Sequence, residues 1–455
     1  MNLEGKKVLV VGLGRTGEAL CCFLLKRKAK IKISEKKSPA ELGHTTHLWK
    51  EKGIEIEAGG HNLKSFLDAD LIVVSPGVPP IPELKTAGEK GVKIISEIEL
   101  AYKFLNGKIV GISGTNGKST TATLTHKILR DSGLKAFLGG NIGNPLINFV
   151  DKSCDDHIYV TEISSFQLHH VEEFKADVSV LLNISPDHLD WHLSFKDYYQ
   201  AKKKLITSQK KGAKAILNRD DPLVWSLKKK TEREVFAFSR KRKITRGIFL
   251  QNDNIILSDV KKEELIKIPE IPLFGLHNQE NIMASALTGY IFGVPRSRIR
   301  ESIKSFKGLE HRLEKVLTLK GIDFYNDSKA TNVDASLKSL QSFDKKIILI
   351  LGGRDKGGHF TKLRKVIKEK VKKIILIGEA TEKIRKALNG VVSFNYSSSL
   401  KEAVKAGFSE AKPGEVVLLA PACTSFDMFQ NFEERGKIFK QEVLNLGKHY
   451  RRKEF

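Results

Sequence analysis

Cysteine is scarce in this sequence, and long apolar runs are absent. Only 4 of the 455 residues are cysteine, and no two of them form a C-x-x-C pair. This scarcity argues against a disulfide framework and a cysteine-based zinc site, and it fits a reducing compartment. No stretch approaches the ~18 consecutive apolar residues that a membrane-spanning helix needs. Because Met1–Lys7 also lacks the apolar stretch of a signal peptide, we expect a cytoplasmic protein without membrane insertion.

Acidic residues are outnumbered, since 53 Asp and Glu face 78 Lys and Arg, for a formal net charge of +25. Such an excess can indicate a nucleic-acid-binding protein. Here the basic residues form short runs without interleaved aromatic residues: Lys202–Lys204, Lys228–Lys230, Arg240–Lys243 and Arg451–Lys453. We therefore favour a lysine-rich solvated surface, whose positive field would also attract anionic nucleotide substrates.

Short β-branched runs alternate with helical patterns almost throughout the chain. The predicted strands are Lys7–Val11, Lys30–Ser34, Asp70–Val74, Val92–Ile95, Lys108–Ile112, Ile158–Glu162, Val178–Leu182, Lys214–Leu217, Glu234–Phe238, Ile347–Leu351, Lys373–Ile377 and Val416–Ala420. The predicted helices are Thr16–Lys28, Pro82–Lys90, a segment from Lys118, His277–Phe292 and Phe429–Leu446, and a hairpin is predicted around Asn252–Asn254. At about 100–200 residues per domain, this alternation predicts an α/β protein of three domains, residues 1–106, 107–308 and 309–455. Each domain would be built on a mainly parallel sheet with flanking helices.

A first glycine turn, Gly12–Gly17, has the pattern G-x-G-x-x-G between a predicted strand and a predicted helix. Its glycines would let a phosphate approach the backbone, and the helix N-terminus would face the negative charge. Glu35 follows the next strand at a distance suited to a ribose or a base, and Ser75–Pro79 ends another strand at the same sheet edge. An NAD-dependent oxidoreductase, a site for another diphosphate and a turn without a ligand all remain open.

A second glycine turn, Gly111–Thr120, is the strongest signal in the sequence. It departs from G-x-x-x-x-G-K-[ST] at Ile112, which occupies the first glycine position. Backbone N–H groups would hold phosphates, Lys118 would neutralise the transferring γ-phosphoryl group, and the Ser119 hydroxyl would reach Mg²⁺. The turn therefore predicts ATP binding.

Polar residues that follow later strands are further candidates. Glu162 ends a strand, and its carboxylate could bind the same Mg²⁺, which prefers oxygen ligands; an exposed strand-end glutamate is the alternative. His188, within Asp187–Asp190, could bind a second metal ion or be merely exposed. Lys356 lies among the glycines of Gly352–Gly358, in a loop that could approach an anionic ligand.

These residues together resemble the Mur ligases, the amide-bond-forming enzymes of bacterial cell-wall precursor synthesis. The marks shared by the family are Gly114–Thr120, Glu162–Leu168, Asp187–Asp190, Gly275–Asn278 with Asn281, and His311-Arg312. The marks of its D-glutamate-adding branch are Gly12–Gly17, Ser75–Val78, Gly139–Gly143, Asn326–Asn332, Gly352–Gly357 and Pro421–Phe432. The resemblance spans nearly the whole chain and implies Rossmann-like first and third domains beside a P-loop-type central ATPase domain.

The resemblance also implies ligands for each domain. ATP would be bound by Gly114, Thr115, Asn116, Gly117, Lys118, Ser119 and Thr120, with Asn278 and Asn281 near adenine and Arg312 and Asp327 contributed by the third domain. The UDP of a sugar substrate would be bound by Gly14, Arg15, Thr16, Ser75, Gly77 and Asn141, with Glu35 near the uracil. D-glutamate would be bound by Thr331, Lys356, Ser425 and the backbone of Phe432. Two Mg²⁺ ions, or Mn²⁺, would be held by Ser119, Glu162, His188 and a carbamylated lysine, placed at Lys202 with Lys203 and Lys204 as alternatives.

The implied reaction is an ATP-dependent ligation that proceeds through an acyl phosphate, with Lys118, His188 and Lys202 as catalytic residues. Trp191 departs from the family, which often has Arg or Tyr there. The alternatives are a sibling Mur ligase, a folylpolyglutamate-synthase-like ligase, an NAD-dependent oxidoreductase and a nucleic-acid-binding ATPase. We expect small-molecule substrates, no nucleic-acid partner and a monomer.

Overall fold

The computed structural model describes residues 1–208 and 210–451, with the Arg451 side chain excepted, so most of the basic run Arg451–Lys453 lies outside the described residues. The chain divides into two compact units. Unit 1 consists of Met1–Ile184, Trp191–Ile268 and Asn281–Ile303, and unit 2 consists of Ser185–Asp190, Pro269–Glu280 and Lys304–Phe455. No helix among the described residues is long and apolar enough to cross a membrane.

The first sheet of unit 1 is entirely parallel, in the order β3-β2-β1-β4-β5. Its elements are β1 (Lys7–Val11), α1 (Arg15–Lys26), β2 (Lys30–Glu35), α2 (Pro39–Leu42), α3 (His44–Glu51), β3 (Glu55–Ala58), α4 (Leu63–Leu67), β4 (Leu71–Val74), α5 (Pro82–Glu89), β5 (Lys93–Ser96) and α6 (Glu97–Tyr102). The central strands β1 and β4 are buried along nearly their whole length, as expected for β-branched runs covered by helices on both faces.

The second sheet of unit 1 has the order β14-β13-β12-β11-β10-β9-β6-β8-β7. Its elements are β6 (Lys108–Ser113), α7 (Lys118–Asp131), β7 (Ala136–Gly140), β8 (Ile158–Glu162), α8 (Ser165–His169), β9 (Val178–Leu181), α9 (Phe195–Thr207), β10 (Lys214–Asn218), α10 (Pro222–Ser226), β11 (Glu234–Ser239), β12 (Gly247–Gln251), β13 (Asn254–Ser258) and β14 (Lys262–Lys267). Pairing is parallel from β7 to β12, and β13 and β14 are added antiparallel. Strand β6, which lies between β8 and β9, points its carboxyl end at the second glycine turn.

Two helices, α11 (Leu276–Ile291) and α12 (Arg296–Ser305), follow and carry residues of both units. The sheet of unit 2 has the order β15-β16-β20-β17-β18-β19 and is parallel except for the pair β15–β16. Its elements are β15 (Glu314–Leu319), β16 (Ile322–Asn326), α13 (Val333–Gln341), β17 (Ile347–Gly352), α14 (Arg364–Lys370), β18 (Val371–Ile377), α15 (Thr381–Leu388), β19 (Ser393–Tyr396), α16 (Leu400–Glu410), β20 (Val416–Leu419) and α17 (Phe432–Arg451).

The predicted fold class is confirmed, because each sheet in the described part of the chain is mainly parallel and flanked by helices. The predicted hairpin is also found: Asn252 and Asp253 both have positive φ, +48° and +57°, as a two-residue hairpin turn requires. The last helix starts at Phe432 rather than at the predicted Phe429, because Met428 and Phe429 donate backbone hydrogen bonds to the Ser425 carbonyl. The domain boundaries at 106 and 308 remain predictions.

Glu99 joins the two halves of unit 1. Its side chain is fully buried, and its carboxylate accepts hydrogen bonds from the backbone N–H groups of Glu172, Glu173 and Phe174 at 2.9–3.1 Å. The Lys103 ammonium lies 3.7 Å away. A buried carboxylate satisfied by three backbone donors stabilises this junction, since leaving those donors unpaired would be costly.

We predict that Glu99→Gln lowers the free energy of unfolding by about 2–4 kcal/mol, because an amide NH₂ would face backbone N–H groups. Urea denaturation would measure the change. Glu89→Gln is the matched control, since Glu89 is exposed and forms a 3.9 Å ion pair with Lys85. Equal stability of the two variants would contradict the prediction.

Candidate active site

The second glycine turn connects β6 to α7 and is held from several sides. Gly114 and Gly117 have φ of +155° and +88°, values that favour glycine. The backbone N–H groups of Thr115 and Asn116 donate to the carbonyl and the side-chain oxygen of Asn183, at 2.9 and 2.8 Å. The turn is therefore a rigid loop that opens into the N-terminus of a helix, an arrangement that favours bound phosphate.

Lys118 and Asn281 lie directly against this turn. The Lys118 ammonium donates to the carbonyl oxygens of Gly114 and Thr115, at 2.9 and 2.8 Å. A Cβ atom on Gly117 would lie 2.2 Å from Oδ1 of Asn281, and the same oxygen accepts a hydrogen bond from the Thr121 hydroxyl at 3.3 Å. Asn281 is therefore a support of the turn, in addition to the predicted role near adenine.

Glu162 lies at the carboxyl end of β8, beside β6, and pairs in register with Ile112. Its side chain is 2% exposed. Oε1 accepts a 2.8 Å hydrogen bond from the Asn141 amide, whereas Oε2 is buried without a hydrogen-bond partner among the described residues. Asn141, predicted to bind the sugar substrate, thus contacts a predicted metal ligand.

Lys202 is nearly fully buried in α9. Its ammonium donates to the Gly114 carbonyl at 2.9 Å and the Ser113 hydroxyl at 3.3 Å. Lys204 instead donates to the carbonyls of His169 and Val171, and burial lowers the pKa of its ammonium. Of the lysines considered for carbamylation, Lys202 is the one whose recorded hydrogen bonds reach the glycine turn.

These positions fit a divalent cation, judged by their donor atoms. The orphaned oxygen of Glu162 is a hard oxygen ligand of the kind that Mg²⁺ prefers. The Ser119 hydroxyl lies in the first turn of α7 and is 8% exposed. A carbamylated Lys202 would add a further carboxylate beside Gly114.

The first glycine turn is packed as tightly as the second. A Cβ on Gly17 would lie 2.1 Å from the Gly12 carbonyl oxygen, to which the Ser75 hydroxyl donates at 2.8 Å. The Arg15 guanidinium donates to the Gly143 carbonyl at 2.7 Å. Together with the contact between Asn141 and Glu162, this bond joins the first glycine turn to the metal-binding candidates within unit 1.

The other predicted UDP-site residues surround the same turn. Gly14 caps the N-terminus of α1, and Thr16 lies in its first turn. Gly77 has a φ of +91°. The Glu35 carboxylate accepts hydrogen bonds from the backbone N–H groups of Leu13 at 2.6 Å and Lys37 at 3.0 Å. Glu35 therefore supports the turn, and its position near the uracil stays a prediction.

In unit 2, His188 lies in a short segment with a φ of +53°. Its Nε2 is 3.6 Å from the carboxylate of Asp187, and that carboxylate accepts a 3.0 Å hydrogen bond from the Asn332 amide. Asn332 belongs to the Asn326–Asn332 motif. The imidazole of His188 therefore lies beside a carboxylate that is itself held by Asn332, at a distance longer than a hydrogen bond.

Two further predicted ATP residues of unit 2 are largely buried. Burial raises the pKa of Asp327 to about 6, against the opposing effects of a hydrogen bond from Ser339 and the positive charge of Arg312. Asn278 donates through its amide to the Phe274 carbonyl at 2.6 Å. Shifted pKa values of this kind cluster at functional sites.

The predicted D-glutamate residues all belong to unit 2. Thr331 lies just before α13, Ser425 is 2% exposed, and Phe432 begins α17. The loop of the half-buried Lys356 is held by paired backbone hydrogen bonds between Arg354 and Thr424, at 3.0 and 2.9 Å. This pairing brings the Lys356 loop beside the segment that contains Ser425.

Sequence reasoning missed Arg435, which is 1% exposed. Its guanidinium donates to the hydroxyl and carbonyl of Ser328 at 2.9 and 2.8 Å, and to the carbonyls of Cys423 and Thr424 at 3.2 Å. Burial lowers its pKa to about 10. Arg435 thus holds two predicted binding segments to α17, and only its place in an otherwise amphipathic helix could have drawn attention to it.

Comparisons with known proteins cover all parts of the chain. Family models match at residues 6–96 (Mur ligase MurD-like, N-terminal domain), 112–289 (Mur ligase middle domain) and 311–423 (Mur ligase, glutamate ligase domain). The first of these contains the first glycine turn, so the alternative of an NAD-dependent oxidoreductase is not supported.

The fold also matches a pseudomurein peptide ligase type C from Methanothermus fervidus, with a TM-score of 0.62, 21% identity and coverage of 97% of this chain and 100% of that one. A MurF ligase from Thermotoga maritima in complex with ADP has a TM-score of 0.59, 16% identity and coverage of 97% and 96%.

Curated relatives are similar over almost their whole length. A UDP-N-acetylmuramoylalanine--D-glutamate ligase from Koribacter versatilis is 44% identical, with coverage of 98% of this chain and 99% of the relative. A protein of the same name from Acidobacterium capsulatum is 45% identical, with coverage of 98% and 97%. The chain therefore belongs to the Mur ligase family of ATP-dependent ligases.

Proposed function

We propose that this protein joins D-glutamate to UDP-N-acetylmuramoyl-L-alanine in the synthesis of peptidoglycan precursors, with conversion of ATP to ADP and phosphate. The observation that carries the proposal is that Lys202 and Glu162 lie beside the second glycine turn, which contains Lys118, within unit 1. The hydrogen bonds of Asn141 and Arg15 connect this group to the first glycine turn. The names of the relatives supply the substrates.

The first step is attack of the substrate carboxylate on the γ-phosphorus of ATP, which forms an acyl phosphate and releases ADP. Both reactants are anions, so the site must supply positive charge in fixed positions. Lys118 is the proposed source of that charge at the γ-phosphoryl group. Backbone N–H groups at the start of α7, after the two that donate to Asn183, would hold the other phosphates.

Mg²⁺ is the proposed cofactor, with two ions and Mn²⁺ as a possible substitute. When bound, it would supply charge neutralisation to the phosphates and the substrate carboxylate. In unit 1 the proposed ligands are Ser119, Glu162 and a carbamylated Lys202. His188 stays a predicted ligand, with the Asp187 carboxylate 3.6 Å from its Nε2.

The second step is attack of the D-glutamate amine on the acyl carbon, followed by loss of phosphate from a tetrahedral intermediate. The proposed binding residues are Thr331, Lys356, Ser425 and the backbone of Phe432. A lysine ammonium recognises a carboxylate by a charge-assisted hydrogen bond, and the pairing of Arg354 with Thr424 supports the Lys356 loop. Asp327, Arg312, Asn278 and Asn281 are proposed to contact ATP.

We further propose a cytoplasmic monomer with small-molecule substrates only. The reaction requires ATP and a nucleotide-activated sugar, which supports this compartment. A sibling Mur ligase or a folylpolyglutamate-synthase-like ligase would use the same phosphate chemistry with a different amino acid or acceptor. A competition assay with D-glutamate, L-lysine, diaminopimelate and folate substrates separates these possibilities.

We predict that the pure protein, incubated with ATP, Mg²⁺, UDP-N-acetylmuramoyl-L-alanine and D-glutamate, forms the corresponding dipeptide product and equimolar ADP. Mass spectrometry of the nucleotide product measures the outcome. Substitution of L-glutamate is the matched control. Formation of a product only with another amino acid would assign the chain to a sibling activity.

We predict that Lys118→Ala abolishes ADP formation and leaves the fold intact, because the ammonium that faces the phosphates is lost. ADP release measures activity, and circular dichroism checks the fold. The matched control is Lys127→Ala on the same helix, where Lys127 pairs with Asp131 at 2.8 Å. Near-normal turnover of Lys118→Ala would remove the glycine turn from the mechanism.

We predict that Lys202→Ala loses activity and regains part of it with added short carboxylates, and that wild-type activity is sensitive to bicarbonate removal and to chloride. A carbamylated lysine forms from CO₂ and carries a carboxylate-like group. In Lys202→Ala a small carboxylate can occupy the space of that group and replace it as a ligand. Lys203→Ala and Lys204→Ala are the controls. Rescue of either control instead of Lys202→Ala would place the carbamate at that lysine.

A further inference from the structure

Trp191 lies among other rings of unit 1. Its side chain is 8% exposed. The ring centroid is 4.7 Å from that of Phe166, 5.3 Å from that of His169 and 4.6 Å from that of His192. Its indole Nε1–H donates a 2.9 Å hydrogen bond to the carbonyl oxygen of Val78. Trp191 therefore bonds the central part of the chain to a loop of the first sheet.

Val78 belongs to the loop that packs on the first glycine turn. A Cβ on Gly12 would lie only 2.8 Å from Cγ2 of Val78, and the Ser75 hydroxyl donates to the Gly12 carbonyl at 2.8 Å. Because protein interiors are close-packed, a shift of Val78 would be transmitted to Gly12. A hydrogen bond to the Val78 carbonyl can therefore hold the first glycine turn, and with it the proposed UDP site, in place.

The neighbour of Trp191 is anchored on the opposite side. The His192 side chain is fully buried, with Nδ1 2.8 Å from an Asp197 oxygen and Nε2 2.9 Å from the Ser165 hydroxyl. Ser165 begins α8, immediately after the segment that starts with Glu162. The chain next to Trp191 is therefore bonded to Ser165, which lies three residues after Glu162 in the sequence.

A second link runs from His192 to the ATP turn. Its ring packs edge-on against Tyr198 at 5.3 Å, and the Tyr198 hydroxyl is 2.9 Å from the hydroxyl of Thr115. Thr115 belongs to the second glycine turn. The Trp191-His192 pair consequently contacts supports of both glycine turns.

We propose that Trp191 is a positioning residue for the UDP-linked substrate. Its indole N–H sets the span between the site of the UDP group and the place where the substrate carboxylate reacts. This inference rests on the proposed function, in which both groups belong to one substrate molecule. If the distance between these two places is fixed, binding of the UDP group of the substrate also aligns its carboxylate for reaction. Such alignment contributes strongly to the rate.

The test is Trp191→Phe, which keeps an aromatic ring against Phe166 and removes the donor to Val78. We expect KM for UDP-N-acetylmuramoyl-L-alanine to rise about three- to tenfold, because the loop that packs on the first glycine turn would no longer be held in place, with KM for ATP unchanged. Calorimetric titration of the same nucleotide without ATP should show an equal weakening of Kd. Leu193→Ala is the control, because Leu193 is 92% exposed.

Trp191→His keeps a five-membered ring whose Nε2–H takes the place of the indole Nε1–H, so its KM should fall between those of Trp191→Phe and the wild type. Unchanged KM and Kd in Trp191→Phe would overturn the proposal. An equal rise of KM for ATP, or a defect of Trp191→Phe that Trp191→His does not reduce, would also overturn it by indicating general loss of packing. Calorimetry measures binding without turnover. A wild-type protein that binds the nucleotide but forms no amide would contradict the proposed function, and the Kd values of the Trp191 variants would still test the role of Trp191.

Discussion

The site assigned to ATP depends on how closely other atoms approach the backbone of the second glycine turn. At Gly117 the space for a side chain is already filled by Oδ1 of Asn281, and the carbonyl of Gly114 accepts hydrogen bonds from both Lys118 and Lys202. The loop therefore has little freedom to collapse or to open. Backbone N–H groups that are held in place in advance bind an anion at a lower cost in conformational entropy than a mobile loop would.

Buried charge is used repeatedly to hold loops by their backbones. Glu99 accepts from three N–H groups in unit 1, and Arg435 donates to carbonyls of two segments in unit 2. In each case one side chain fixes a stretch of irregular chain that a sheet or helix could not hold. Backbone dipoles that surround a charged side chain offset part of the cost of removing it from water, so such residues can be buried beside binding loops.

The sheets and turns could be predicted from the sequence because their signals are local. Buried strands such as Ile158–Glu162 are continuous β-branched or apolar runs, and the strained turns require glycine at fixed spacing. Strands with mixed composition, such as Glu55–Ala58, give no such signal and were not predicted. The contacts of Arg435 and Trp191 were also missed, because a single side chain that meets a distant carbonyl leaves no periodic trace. The family resemblance assigned ligands to residues, whereas the support that Asn281 gives to Gly117 emerged only from the coordinates.

The antiparallel extension of the second sheet ends in β14, Lys262–Lys267, where four of the six side chains carry charge. A parallel sheet that ended at β11 or β12 would present hydrophobic strands with free backbone groups at its margin. Such margins pair readily with the margins of other sheets, and charged terminal strands are a common protection against this. The hairpin thus gives a nucleotide-binding sheet a margin that resists stacking into fibrous aggregates.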